Sequence, residues 1–336
     1  ATIKRELAIL RSYSRRRQKK STLLSTDIMD WFLDDQVQGE RFRFHNYPLN
    51  QMFGIQSELP NFMMTMHPVV SKLEARNYIK RLSRFGVKFS QVMDGLKVRE
   101  SKGVIPPQFV IRRVLDEIIA FVGKPAQENP LYTVFKDKLS KVIMDDSVRA
   151  TLLAAAESEI QRTVYPAYQY LITYFSMLEK KATTDDGVWK LPDGEAYYAY
   201  CLRSNTTTNM TAGQIHETGL KEVARIESEM ATILTNLGHK DVQNPPKELA
   251  ELSKEKRFLY PNTDEGRAAA LVEYQRILEE VNTRLDQVFD IRPKAGLKVE
   301  RVPEFREKTS AGAYYQPADL GGRRPGVFFA NLRDMN

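Results

Sequence analysis

The residues best suited to metal chemistry in this sequence are its four histidines, His45, His67, His216 and His239. No two of them are four residues apart, the spacing that places two ligands on one face of a helix. The segment beginning His216-Glu217 resembles the H-E-x-x-H zinc motif, but Leu220 occupies the second ligand position and cannot bind zinc. We therefore predict no metal ligand in this chain. His216 either hydrogen-bonds a neighbouring loop or contacts a substrate.

Other catalytic patterns are also missing from the sequence. It has no G-x-S-x-G nucleophile motif, no phosphate-binding P-loop and no G-x-G-x-x-G motif. The closest glycine-rich segment, GGRRPG at 321–326, precedes an apolar strand pattern, so it lacks the helix N-terminus that would hold a phosphate. Cys201 is the single cysteine, which excludes internal disulfides and indicates a packed, unreactive thiol. We predict no catalytic residue in this chain.

The excess positive charge lies at the N-terminus. The net charge is +7, and residues 1–20 hold eight basic residues and one acidic residue, so the rest of the chain is balanced. The segment RRRQKK, residues 15–20, could bind nucleic acid or anionic lipid. Because no aromatic residues for base stacking interleave with it, we interpret it as a solvated helix face and expect no specific nucleic-acid partner.

The elements that must position any functional residue are mostly helical. Apolar residues recur every three or four positions in several long segments, with Pro166 predicted to interrupt one and Gly238 to end another. After Pro293, three short β-branched or aromatic segments follow, at 297–302, 311–315 and 326–332. The predicted fold is mainly α, an α+β chain with a helical body over 1–292 and a strand-rich region over 293–336. No apolar run has the length of a transmembrane segment.

Four segments resemble a known bacterial family, domain of unknown function 885, of zincin-like metallopeptidases. They are YPLNQMFGIQSELPNFM, ARNYIKRL, the 191–230 block beginning LPDGEAYYAYCLRSN, and GAYYQPADLGGRRPGVFFANL. The resemblance implies that the helical body forms the wall of a substrate cleft. It also implies a zinc-binding helix after the strand equivalent to GVFFANL, bearing His-Glu and Pro-Gly-His-His, which this sequence does not contain.

The resemblance therefore implies the N-terminal part of a zinc-dependent hydrolase, truncated before its metal site. Zinc is expected only if the C-terminal part were present, and a peptide-like substrate would lie in the cleft. The resemblance favours the periplasm or cell envelope, with the cytoplasm as the alternative location. The alternative function is a non-catalytic helical protein that binds a peptide or another protein.

The resemblance also suggests which residues would line the cleft. GVFFANL would be an exposed edge strand that holds a peptide through its backbone. Tyr314 and Tyr315 would donate to an oxyanion, and Arg324 would hold a carboxylate. For each of these residues the alternative is packing or surface solvation. The lining set is completed by Phe328 and Asn331. We also expect an exposed apolar patch at Phe328 and Phe329, through which the chain would form oligomers.

Overall fold

The structure, a computed structural model, describes residues 2–239, 242–308 and 310–335. The backbone contacts divide the chain into two compact units, Ala1–Ala212 and Gly213–Asn336. The first unit is helical. Its helices are α1 Thr2–Ser12, α2 Lys20–Gly39, α3 Ile55–Asn61, α4 Lys72–Leu82, α5 Phe85–Ser101, α6 Gln108–Val122, α7 Pro130–Ser140, α8 Asp146–Glu159, α9 Tyr165–Glu179 and α10 Gly194–Thr206.

The second unit combines helices with a small sheet. Its helices are α11 Ala212–Asn236, α12 Pro245–Leu252, α13 Asp264–Arg284 and the single turn α14 Glu304–Glu307. Its strands are β1 Leu297–Arg301, β2 Ala313–Gln316 and β3 Gly326–Ala330. The predicted fold class, a large helical body with a small sheet near the C-terminus, is confirmed. The predicted division at 292/293 places the three strands and the single turn α14 after it, whereas the compact units meet at 212/213.

The core of the first unit is built by the amphipathic faces of α4 to α9. On α6, Val110, Val114 and Ile118 are buried at the helical spacing that their positions predict. Aromatic side chains fill the centre of this core, where the rings of Tyr78 and Phe135 stack with centroids 4.6 Å apart. Burial of these large side chains is the main source of stability in this unit.

Local sequence signals set several helix ends. Ser71 caps α4 by accepting a hydrogen bond from the backbone N–H of Glu74, three residues on. Pro166 lies in the first turn of α9, directly after a π-helical turn over Ile160–Val164, so the predicted interruption is confirmed. Gly238 follows α11 with φ +94°, a left-handed conformation suited to glycine at a helix end.

Residues 71–95 are divided between α4 and α5. The break falls at Ser83 and Arg84, where neither glycine nor proline marks it. The hydroxyl of Ser83 donates to the carbonyl of Lys80, a side-chain bond that competes with continuation of the helix.

The basic N-terminal segment forms part of a helical hairpin. Arg11 on α1 pairs with Asp30 and Asp34 on α2, and Arg15 pairs with Asp27. Carboxylates of α2 therefore neutralise part of the N-terminal charge. The hydrogen bond that Asp30 accepts from Arg11 lowers the pKa of Asp30 below its ordinary value.

The sheet of the second unit has the order β1-β3-β2. β1 runs parallel to β3, with Val299 opposite Phe328, and β2 runs antiparallel to β3, with Tyr315 opposite Phe328. Ala270 on α13 is buried together with Ala330 and Leu332, so α13 packs on one face of the sheet. In the described part of the chain, no helix has the length and apolar character that crossing a membrane requires.

Candidate functional site

β3 is the central strand of the sheet, so it is not the exposed edge that the sequence predicted. Its backbone is hydrogen-bonded to β1 on one side and to β2 on the other. A peptide cannot be added to a strand whose two sides are already paired. The prediction that GVFFANL provides the peptide-binding edge is therefore wrong.

The outer side of β2 is the edge that remains open. Asn331 donates its backbone N–H to the carbonyl of Gly312, which fixes the alternation of the antiparallel ladder. In this alternation Tyr314 and Gln316 bond to β3, while the backbone groups of Ala313 and Tyr315 point away from it. Among the described residues, no hydrogen bond satisfies the backbone N–H or C=O of Ala313 or Tyr315. Both residues are exposed.

The two tyrosines of β2 lie on opposite faces of the sheet, because successive side chains in a strand alternate. Tyr315 shares a face with Phe328, lies across Gly326 and is 55% exposed. Tyr314 lies on the other face, where its ring stacks on Phe329 with centroids 4.9 Å apart and its hydroxyl oxygen is buried. The two hydroxyls therefore do not converge on one oxyanion.

The predicted exposed patch at Phe328 and Phe329 is wrong. Phe329 is only 4% exposed because Tyr314 covers it, and Phe328 is half-buried against Tyr274 of α13. Other apolar side chains of this unit are exposed instead, such as Val223 on α11, Val272 on α13 and Leu320 in the loop before β3.

Asn331 holds a loop in place. Its side-chain amide donates to the carbonyls of Glu307, Ser310 and Ala311, and its Oδ1 accepts from the backbone N–H of Arg333. Its side-chain amide, its Oδ1 and its backbone N–H are thus all engaged within the chain. The geometry assigns Asn331 to the support of the sheet and of the loop that leads into β2.

Arg324 lies in the turn that leads into β3. The carboxylate of Asp319 accepts hydrogen bonds from the backbone N–H groups of Gly321 and Arg324, so this glycine-rich segment is a closed turn. These bonds also lower the pKa of Asp319. The Nη1 atom of Arg324 is buried and has no hydrogen-bond partner among the described residues. Among the predicted cleft residues, Arg324 is therefore the one whose charged side chain has a buried N–H group without an acceptor.

His216 is separate from the sheet residues in the chain and in its surroundings. It lies on α11 with its side chain exposed, and its imidazole makes no hydrogen bond or ion pair with any described residue. The predicted hydrogen bond to a neighbouring loop is therefore not formed among the described residues. Over residues 2–239, 242–308 and 310–335, no group of three or more His, Cys, Asp or Glu side chains has the arrangement of a metal site.

A buried ion pair at the carboxyl ends of β1 and β3 escaped prediction. The guanidinium of Arg301 donates to both carboxylate oxygens of Glu307 at 2.6 and 3.0 Å, and Glu307 is 5% exposed. The hydrogen bonds from Arg301 lower the pKa of Glu307. Nearby, Arg267 donates to the carbonyl of Leu332.

These arginines line a cavity of about 470 Å³ together with Asp264 and Glu304. The charges of the two arginines are balanced by carboxylates, so this cavity has no excess charge for a ligand. The six-residue separation of Arg301 and Glu307 crosses a strand end and a helical turn. Only the paired signs of their charges could have indicated the contact.

The whole length of the chain matches one protein family. The match covers residues 1–336, and the family is described as a bacterial protein of unknown function, DUF885. The chain belongs to this family. The family named from the sequence is thereby confirmed, while peptidase activity and correspondence to an N-terminal part are not addressed by the DUF885 description.

A solved structure shares this fold. It is the crystal structure of a "putative lipoprotein" from Colwellia psychrerythraea, which matches with a TM-score of 0.82 at 26% sequence identity. The match covers 86% of this chain and 49% of that chain, so the present chain spans about half the length of its solved relative. No curated protein matches the DUF885 chain described here.

Proposed function

We propose that this chain binds an extended peptide along the outer edge of β2, as the substrate-binding part of a zinc-dependent hydrolase of the kind its sequence resembles. The observation that carries the proposal is the pair of outward-facing residues, Ala313 and Tyr315. Both residues are exposed, and the ladder alternation directs their backbone groups away from β3, where no described residue bonds them. An extended peptide would complete these hydrogen bonds and become a fourth strand.

Two neighbouring groups support the same role. Tyr315 is 55% exposed and its ring lies over Gly326 of β3, so it adds an exposed aromatic surface to the face of the sheet next to the edge. The other edge of the sheet is less suited, because the backbone N–H of Val299 on β1 already donates to the side chain of Gln275. The edge of β2 is therefore the better docking edge.

The described residues do not fit a zinc ion. They contain no cluster of three potential ligands, and no step of hydrolysis is assigned to them. The hydrolase setting of the proposal rests on the family resemblance, and a binding protein without hydrolytic activity would use the same edge. The likeness to a protein described as a lipoprotein supports the cell envelope as the location.

The test measures the binding of a fluorescein-labelled heptapeptide, Thr-Val-Thr-Lys-Thr-Val-Thr, by fluorescence anisotropy. Ala313→Pro removes the outward N–H without removing a ladder hydrogen bond. We expect this variant to weaken binding by about tenfold, because a backbone hydrogen bond is lost and the ring obstructs the edge. Ala313→Ser retains the N–H and is the matched control, with unchanged affinity expected.

Equal affinity of the Ala313→Pro variant and the parent chain would overturn the proposal, provided that both keep the same circular dichroism spectrum. Loss of peptide binding at concentrations where the chain forms dimers would also count against it. That result would assign the edge of β2 to pairing with a second copy.

A further inference from the structure

The first unit contains a cavity that has no part in the peptide-binding proposal. It has a volume of about 500 Å³ and is formed by three separate segments of the chain. These segments are the beginning of α1, the end of α2 with the residues that follow it, and the residue after α5. Its charged and aromatic lining consists of Lys4, Glu40, Arg41, Arg43, Phe44 and Lys102.

The lining has an excess of positive charge. Glu40 is its only acidic residue, and Lys4 pairs with that carboxylate at 2.6 Å. Arg41, Arg43 and Lys102 make no ion pair and no side-chain hydrogen bond with any described residue. Three cationic side chains therefore line the same cavity without an ion pair, which leaves their N–H groups available to an anion.

Aromatic rings hold these three cations in position. The guanidinium of Arg41 lies over the ring of Phe42 at 4.4 Å from its centroid, and that of Arg43 lies over Phe44 at 4.7 Å. The amine of Lys102 lies 5.5 Å from the same centroid of Phe44. Stacking on a ring face restrains a guanidinium but leaves its N–H groups free for an oxyanion.

The ring of Phe44 is also in contact with a third arginine, Arg99. Arg99 lies 5.5 Å from the centroid of its ring and donates to both the backbone carbonyl and the side-chain oxygen of Asn46. Arg99 also donates to the carbonyl of Gly95, so its hydrogen bonds are made within the protein. Burial lowers the pKa of Arg99. Arg99 supports the ring, whereas Arg43 and Lys102 are available to a ligand.

We propose that this cavity is a binding site for a phosphoryl group. Three unpaired cations match the two negative charges of a phosphomonoester better than the single charge of a carboxylate. Each of the two guanidinium groups can also donate two parallel hydrogen bonds to the phosphoryl oxygens. The phosphoryl group belongs either to a soluble phosphate compound or to the headgroup of an anionic lipid.

The experiment uses the full 336-residue chain and isothermal titration calorimetry with glycerol 3-phosphate, with acetate as the carboxylate comparison. A double substitution, Arg41→Gln with Arg43→Gln, removes two charges and keeps the side-chain length. Because both residues are exposed, the fold should be retained. We expect it to weaken phosphate binding by at least about tenfold, since charge-assisted hydrogen bonds are lost.

The matched control is Arg16→Gln with Arg17→Gln, which removes the same charge from exposed arginines in the turn between α1 and α2. Equal loss of binding in this control would overturn the proposal, because only net charge would then matter. Binding of acetate as tightly as glycerol 3-phosphate would also overturn it.

A third measurement identifies the source of the phosphoryl group. Sedimentation with phosphatidylglycerol vesicles is compared with sedimentation with phosphatidylcholine vesicles for the parent chain and both double variants. Loss of phosphatidylglycerol binding in the Arg41/Arg43 variant alone would support a lipid headgroup. Calorimetric binding without vesicle binding would support a soluble ligand. The proposal fails if neither glycerol 3-phosphate nor phosphatidylglycerol binds.

Discussion

The ring of Tyr315 lies across Gly326, and its hydroxyl occupies the space that a Cβ at position 326 would need. The two residues are diagonal neighbours on one face of the antiparallel pair β2 and β3. Glycine at this position therefore allows the Tyr315 ring to lie over the central strand β3. The conformation of the Tyr315 side chain therefore depends on Gly326 of the neighbouring strand.

We expect Gly326→Ala to displace the ring of Tyr315 and to lower the free energy of unfolding by about 1 kcal/mol, because a tightly packed contact is overfilled. The cost is small since Tyr315 is largely exposed and can move outward. Calorimetric unfolding measures the change. In a Tyr315→Ala background, Gly326→Ala should cost nothing, and an equal cost in both backgrounds would contradict the assignment. Gly296→Ala, where a Cβ meets open space, is the control.

We expect Glu307→Gln to destabilise the chain by about 2 kcal/mol at neutral pH, because it leaves the Arg301 guanidinium without its buried carboxylate. The measurement is chemical denaturation. Glu304→Gln, at an exposed position three residues earlier, is the control and should change stability little. A similar loss in both variants would show that the loss of negative charge, rather than the ion pair, is responsible.

The same pair predicts a pH dependence. Arg301 lowers the pKa of Glu307, so the unfolded chain binds a proton at this carboxylate more readily than the folded chain. The stabilisation is complete above the ordinary glutamate pKa and is lost as the pH falls through the lowered one. The difference in unfolding free energy between the parent chain and Glu307→Gln should therefore shrink in acid. A difference that stays constant into acid would contradict this prediction.

Local features of this fold could be predicted from the sequence. The cap at Ser71, the interruption at Pro166 and the stop at Gly238 each depend on residues within one helical turn. The three strands were found because β-branched and aromatic residues cluster between glycine and proline. Propensity, capping and periodicity depend on residues that are close together in the sequence, so they can be recognised without knowledge of the tertiary contacts.

Features that depend on distant partners could not be predicted. Alternation identifies β3 as a strand but does not say that β1 and β2 pair on its two sides. For the same reason Phe329 was expected at the surface, although Tyr314 covers it from another strand. The cationic cavity requires Lys102, which lies about sixty residues beyond Arg41 in the sequence. The sequence shows which residues are charged, but only the packing of the helices determines which charged side chains lie together.

We expect Lys138 to make the stability of the chain rise with pH in mildly alkaline solution. Its amine donates to the carbonyl of His67 at 2.7 Å, and burial lowers its pKa to about 8. Above that pH the unfolded chain holds more protons at this lysine than the folded chain, so raising the pH favours folding. Between about pH 8 and pH 9.5 the gain should approach 2 kcal/mol.

Lys138→Met should abolish this alkaline gain, as measured by urea denaturation at both pH values. Lys136→Met, at an exposed lysine on the same helix, is the control and should retain the gain. If the parent chain and Lys138→Met respond equally to pH, the alkaline gain does not originate at Lys138.

Asp35 connects α2 to α10. Its carboxylate is 3% exposed and accepts hydrogen bonds from Arg203 at 2.7 Å and from Ser204 at 2.8 Å. Asp35→Ala leaves the Arg203 guanidinium without its partner in a partly buried position, so we expect a loss of about 3 kcal/mol in unfolding free energy. Asp34→Ala, at a more exposed carboxylate one residue earlier, should cost less than about 1 kcal/mol. Thermal unfolding of the two variants compares them directly, and equal losses would mean that Asp35 does not hold the two helices together.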